Sequence, residues 1–294
     1  MKYSPWYTLT EESQYNNYLN SIYQEYGSPF NMANEESFTD MFQWYEKLYP
    51  AVARSKVFSE YCIKLFGTDL SQQGFYTMAQ LDLMLSKLNP VSDTCILEIG
   101  CGLGKFSEYI SDNFGSIVYG IDYSPAAIAI VKERTKTKRK KLSFETGNIN
   151  TIKYPENTFD IVLALDCIFF ASDLKTTLKN IHSWLRPNGK LAVIYGVFRF
   201  DKSEPVEIMY ANTSPLANAF HDAGFTYKVF DFTKQLYEHQ LLKRKTVLEL
   251  KQKFMDEGTL FLYEYLYRES VDLSAGFDEF REFASYYLYL YEKI

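Results

Sequence analysis

Between residues 94 and 198 short apolar runs take turns with amphipathic stretches, and that alternation leaves few folds open. The runs at 94–99, 116–121, 142–146, 159–165 and 190–198 read as buried strands, and 105–113, 124–135 and 172–185 carry helical spacing between them. Strands and helices in strict turn build a parallel sheet, because parallel neighbours need a crossover that places a helix on one face or the other. Ser124 before Pro125 supplies an N-cap hydroxyl and a first-turn proline. Pro-Asn-Gly at 187–189 is a turn feeding the fifth strand. Further on, 214–223 reads as a helix closed by Gly224, 225–232 as a strand and 285–292 as a last strand. The fold class expected is α/β: a doubly wound, mostly parallel seven-stranded sheet with helices on both faces, an N-terminal helical extension and a helical insertion before the last strand.

The extension covers residues 1–89. Phe38, Phe42, Tyr45 and Leu48 fall at helical spacing within 35–49, where Pro50 is expected to close the helix. Val52, Val57, Tyr61, Leu65 and Phe66 outline a second helix before Gly67, and Thr77 with Gln80 has the spacing of a capping box opening a third. Residues 90–294 form the main domain, with the insertion at 234–276 expected over the active site. Aromatic residues are abundant, with 25 Tyr and 23 Phe, and crowd both ends, from Tyr3, Trp6 and Tyr7 at the start to Tyr286, Tyr287, Tyr289 and Tyr291 at the finish. Stripes of this kind are more often core than ligand cage.

A net charge of -6 with a single strongly basic run, 136–141, argues against nucleic acid or an anionic membrane as partner. The four cysteines, Cys62, Cys95, Cys101 and Cys167, have no metal-ligand spacing, so no metal is expected and a reducing cytoplasm suits them. Neither a signal pattern nor an apolar run of about 18 residues is present. A soluble cytoplasmic protein is expected, its oligomeric state open.

The chemistry-bearing segment is 96–104, Ile-Leu-Glu-Ile-Gly-Cys-Gly-Leu-Gly, where the first strand ends and the first crossover helix begins. Ligands of open α/β sheets bind at this point. A dinucleotide site would show G-x-G-x-x-G with the pyrophosphate on the helix N-terminus. Here the spacing is G-x-G-x-G, and Glu98 before it disfavours a pyrophosphate and suits a cationic end. About 20 residues past the loop the second strand closes on Asp122, placed to accept both ribose hydroxyls. Together these indicate an adenosine without phosphates. Taken singly, Glu98 and Asp122 could each cap a helix, and Asn148 could be a plain turn residue.

At these residues the chain resembles the class I S-adenosylmethionine-dependent methyltransferases, over roughly 91–198. The stretch 98–104 looks like the family's acidic-x-G-x-G-x-G loop, which implies that Glu98, Gly100, Cys101, Gly102 and Gly104 surround the methionine portion of the cofactor. The resemblance makes Asp122 the ribose acid and Tyr123 the residue on the adenine. It places Asn148 and Ile149 of Gly-Asn-Ile at the adenine amino group, where the family often has Asp, and Leu165 and Asp166 beside the reactive methyl. Leu-Arg-Pro-Asn-Gly-Lys at 185–190 resembles the family's turn before the fifth strand, with Asn for one Gly.

The function implied is transfer of a methyl group from S-adenosylmethionine to an O, N or C atom of a small molecule by in-line displacement. The Asn/Asp-Pro-Pro-Tyr/Phe motif of base and amide methylation is absent after the fourth strand. A sulfonium methyl needs positioning and desolvation of its acceptor more than a base. Candidates for a catalytic part are His239 in the insertion, Asp166 and Tyr76. Tyr76 and Gln80 are further candidates for the cofactor, or equally the start of a capped helix. A nucleotide-dependent oxidoreductase and a non-catalytic cofactor-binding module are the alternatives.

Overall fold

The computed structural model describes residues 35–199, 203–271 and 276–294, with side chains from residue 41 onward. The aromatic run from Tyr3 to Tyr26 and the side chain of Phe38 lie outside the described residues. Three helices, α1 (Glu35–Arg54), α2 (Lys56–Phe66) and α3 (Met78–Leu88), precede the first strand. The alternation then runs β1 (Cys95–Ile99), α4 (Lys105–Phe114), β2 (Ile117–Asp122), α5 (Pro125–Arg134), β3 (Leu142–Thr146), β4 (Phe159–Leu165), α6 (Leu174–Trp184) and β5 (Leu185–Phe198). After it come α7 (Pro215–Ala223), β6 (Tyr227–Asp231), α8 (Thr233–Glu257), α9 (Leu260–Arg268), α10 (Phe277–Arg281) and β7 (Ala284–Glu292).

The seven strands form one sheet in the order β3-β2-β1-β4-β5-β7-β6. The first five are mutually parallel, and β7 runs antiparallel to both β5 and β6. The chain steps outward from β1 to β3 and returns on the other side of β1 to β4, so the carboxyl ends of β1 and β4 flank the crevice where the winding reverses. Two apolar layers cover the sheet: α3, α4 and α5 contribute Leu81, Met84, Ile110 and Val131 on one face, and α6 and α7 contribute Leu178, Ile181, Trp184 and Phe220 on the other. A third cluster joins Leu48 and Tyr49 of α1, Phe58 and Tyr61 of α2, and Val247, Phe254 and Leu262 of α8 and α9 to Leu103 and Ala127 beside the sheet.

Local signals set most helix starts. Ser124 Oγ accepts from Ala127 N behind Pro125, and Thr77 and Gln80 form both bonds of the capping box. Pro50 does not close α1; the helix runs through it to Arg54. A proline removes one backbone bond and crowds the preceding turn, but the buried Leu48, Tyr49, Ala51 and Val52 hold this stretch against its neighbours. The break falls at Ser55, whose Oγ caps α2 through Phe58 N at 2.9 Å. Pro-Asn-Gly is likewise no turn ahead of β5 but an irregularity inside it. Asn188 has φ 64°, and the pairing with β4 jumps from Phe159↔Leu185 to Ile161↔Lys190. Asp160 ties this end together, accepting from Cys95 N at 2.8 Å and pairing with Arg186.

The insertion corrects a second expectation. Helices α8 and α9 pack beside α2, and Glu257 at the end of α8 accepts from Lys56 N at 2.7 Å, where a carboxylate suits a helix N-terminus. His239 is buried with its ring 4.9 Å from that of Phe66. Burial, with the Lys243 charge nearby, pushes its imidazole down to about 3.

Candidate functional site

The carboxyl ends of β1, β2 and β4 open into a cleft enclosing about 1190 Å³ with its mouth. Its floor is the glycine loop. Cys101 N donates to Ile121 O at 2.9 Å and Gly104 N to Cys101 O at 2.8 Å, folding the loop back on itself. Gly102 N donates to Asp122 Oδ2 at 2.8 Å, and Ser124 N to Asp122 Oδ1 at 2.9 Å. Asp122 is therefore fixed across the ends of β1 and β2 with lone pairs to spare. Its burial still pushes the carboxyl up to about 6, against the pull of those two amides.

Glu98 lies behind the loop, 4% exposed, and accepts from the Ser107 hydroxyl of α4. Burial pushes it up from 4.5 to about 8. A carboxyl raised in the folded state stabilises the fold in its protonated form. That stabilisation is full below about pH 4.5 and fades as pH rises through about 8. Glu98→Gln should therefore melt at nearly the same temperature at pH 6 and pH 9, where the parent protein loses stability between them. Parallel losses in thermal melts of the two proteins would contradict a buried neutral Glu98.

The cover of the cleft comes from α1 and the 70–76 loop. Tyr49 lies over the glycine loop: a Cβ at Gly102 would stand 3.1 Å from its ring. Glu46 caps α5, accepting from the Ser124 hydroxyl and from Ala126 N at 3.1 Å. Asp69 anchors the loop by accepting from Ser59 Oγ at 2.8 Å and pairing with Lys105 at 2.7 Å. Asp166, at φ 50°, accepts from Phe75 N at 2.8 Å and from the Tyr286 hydroxyl of β7. Burial pushes Asp166 up to about 6. Two buried atoms of this wall, Gln72 Nε2 and Gln73 Oε1, have no hydrogen-bond partner among the described residues. Orphaned buried polar atoms in a cleft wall are groups awaiting a ligand or water.

The cleft is lined by Tyr76, Glu98, Gly100, Cys101, Gly102, Asp122, Tyr123, Asn148, Ile149, Leu165 and Asp166. Tyr123 is 40% exposed and meets Phe42 edge to face, and Asn148 Oδ1 already accepts from Asn150 N at 2.9 Å. Three candidates lie elsewhere. Gly104 starts α4 with Val131 and Phe144 filling the place of a Cβ; Gln80 lies outside the lining with Oε1 in its capping box and Nε2 buried without a partner among the described residues; His239 is in the α2–α8 interface. No described residue of the 234–276 insertion lines the cleft, because its helices bury their apolar faces against α2. Sequence reasoning missed Met41, Phe42, Tyr45, Tyr49, Gln72, Gln73 and Phe170. The aromatic spacing of α1 was visible, but spacing alone does not separate a core face from a cleft wall. The described residues hold no cluster of metal-ligating side chains.

Residues 97–193 match the family model described as a methyltransferase domain. Phosphoethanolamine N-methyltransferase 1 of Arabidopsis thaliana is 28% identical over 200 residues, 63% of this chain and 40% of that protein. The ubiquinone biosynthesis O-methyltransferase of Bradyrhizobium diazoefficiens is 29% identical over 59% of this chain and 68% of its own length. Phosphoethanolamine N-methyltransferase 2 of Haemonchus contortus, solved in complex with S-adenosyl-L-methionine, superposes with a TM-score of 0.69 over 90% of this chain and 61% of that one. At 18% identity that likeness is one of fold. The chain spans less than half the length of the plant relative.

Proposed function

We infer that this chain, whose core at residues 97–193 is a class I S-adenosylmethionine-dependent methyltransferase domain, moves a methyl group from S-adenosylmethionine to a small-molecule acceptor. One arrangement carries the reading: the glycine loop bonded to the Asp122 carboxylate across the strand ends, at the crevice where the winding reverses. The orphaned Gln72 Nε2 and Gln73 Oε1 in the opposite wall supply a donor and an acceptor for the polar end of such a cofactor.

S-adenosylmethionine supplies a sulfonium methyl already activated for displacement. The chain's own residues bind and orient. In this reading Asp122 accepts from the ribose hydroxyls, Tyr123 offers a ring face to the adenine, and Asn148 with Ile149 meets its edge. Gly100, Cys101 and Gly102 bring backbone close to the methionine portion. Tyr49 and the rest of α1 exclude water from the loop, which strengthens each polar contact beneath them. Gly104 and Gln80 act from behind, by packing and by capping.

Residues 1–89 act as a cap on a 90–294 domain in this proposal. Four free cysteines suit a reducing compartment, and we place the protein in the cytoplasm on that ground. No helix among the described residues is long and apolar enough to cross a membrane, and the acidic balance speaks against nucleic acid as substrate.

The test is thermal melting of the purified chain. S-adenosylhomocysteine at 100 times its Kd should stabilise by about 2.7 kcal/mol, and NAD should not. Stabilisation by NAD alone would favour the oxidoreductase. Tight S-adenosylhomocysteine binding with no turnover over a broad acceptor panel would favour a binding module.

A further inference from the structure

The two relatives named above differ in acceptor, one acting on phosphoethanolamine and the other in ubiquinone biosynthesis by O-methylation. The cleft of this chain bears on that choice through its charge. Its lining contains two carboxylates, Asp122 and Asp166, beside the neutral carboxyl of Glu98, and no Lys, Arg or His among the described residues. Cations beyond the lining are already paired: Lys105 with Asp69 at 2.7 Å, Lys243 with Glu269 at 2.9 Å and Arg134 with Glu108 at 3.0 Å. The segments outside the described residues add only Lys2 and Lys202 as cations, against Glu11, Glu12, Glu25, Asp201 and Asp272.

A phosphomonoester carries close to two negative charges and is bound through Arg, Lys or clustered N–H donors. Nothing in this lining offers the first two. The third, the glycine-loop amides, lies against Asp122, with Gly102 N already donating to it. What the lining does offer is rings. Tyr45 stacks on Tyr49 at 5.5 Å and meets Phe170 edge to face at 6.3 Å, while Tyr76 and Asp166 both border Gly74. Tyr45 and Tyr76 both sit within the field of the Asp166 carboxylate. A carboxylate set among aromatic faces is the chemistry that holds an ammonium group.

Resting on the methyltransferase reading, we propose that the acceptor is an amine without a phosphate group, its nitrogen held at Asp166 between the rings of Tyr45, Tyr76 and Phe170. In the transfer a nitrogen–carbon bond forms as the carbon–sulfur bond breaks, and the electron pair of the broken bond stays on sulfur. Before that displacement the bound ammonium gives up one proton to water by way of the Asp166 carboxylate, which frees the attacking lone pair, and the Tyr286 hydroxyl, the second partner of Asp166, holds the carboxylate in place.

The experiment measures S-adenosylhomocysteine release by the full chain with 2-phenylethylamine and ethanolamine against phosphoethanolamine, after calorimetry has established that S-adenosylhomocysteine binds. We expect kcat/KM for at least one phosphate-free amine to exceed that for phosphoethanolamine at least tenfold. Asp166→Asn and, should that variant fold poorly, Tyr45→Leu should raise KM for the amine about tenfold while changing S-adenosylhomocysteine affinity less than about threefold. Equal or faster turnover of phosphoethanolamine, or no turnover of either amine by a chain that binds S-adenosylhomocysteine, overturns the proposal. Failure to bind S-adenosylhomocysteine would instead overturn the function on which it rests.

Discussion

Gly104→Ala should destabilise the protein by roughly 2–5 kcal/mol and abolish ligand binding at temperatures where the parent binds. Two separate strains add. At φ +65° an L side chain meets the carbonyl that follows it. The new Cβ would also stand 2.5 Å from Val131 Cγ2 and 2.7 Å from Phe144 Cε1, branched and ring atoms of the buried layer beneath α5 and β3. Neither neighbour is a flexible end that can swing aside. Gly67→Ala separates the terms, because Gly67 has φ +80° but nothing within 4 Å of its Cβ position. It should lose only the backbone part, about 1–2 kcal/mol. Denaturant midpoints for the two variants check this, and equal losses would show that packing behind the loop is not what requires glycine there.

Asp122→Ala should weaken S-adenosylhomocysteine binding by more than about 100-fold, since hydrogen bonds to a charged group contribute roughly 1.5–3 kcal/mol each and two hydroxyls would lose their acceptor. Asp122→Asn should fall between. The carboxyl titrates at about 6, so parent binding should weaken as pH drops below that value, and the alanine variant should lack this slope. Calorimetry from pH 5 to 8 reads both. Unchanged affinity in the alanine variant would remove Asp122 from the site.

The doubly wound core was legible because its signals are local. Strand runs, Ser124-Pro125 and the Thr77–Gln80 spacing each act within one element, and the loop from Glu98 to Gly104 joins two adjacent ones. What did not show was mostly set by distant parts of the chain. Pro50 could continue a helix only because neighbours from α2, α5, α8 and α9 bury the residues around it. His239 reads as a candidate base in sequence, and only the docking of α8 against Phe66 makes it a neutral core residue. The cleft wall built by Tyr45 and Tyr49 depends on α1 crossing the glycine loop, a contact that helical spacing does not encode. Asp166 was legible as a cleft residue, but Tyr286, its partner 120 positions later, was not.

That last contact has a consequence for biosynthesis. Of the seven strands, the one translated last does not add to a margin but is threaded between β5 and β6, which until then face water along unpaired edges open to association with other chains. The same nine residues, 284–292, deliver the hydroxyl that holds Asp166. Closing the sheet and fixing the Asp166 carboxylate in the cleft are thus one event.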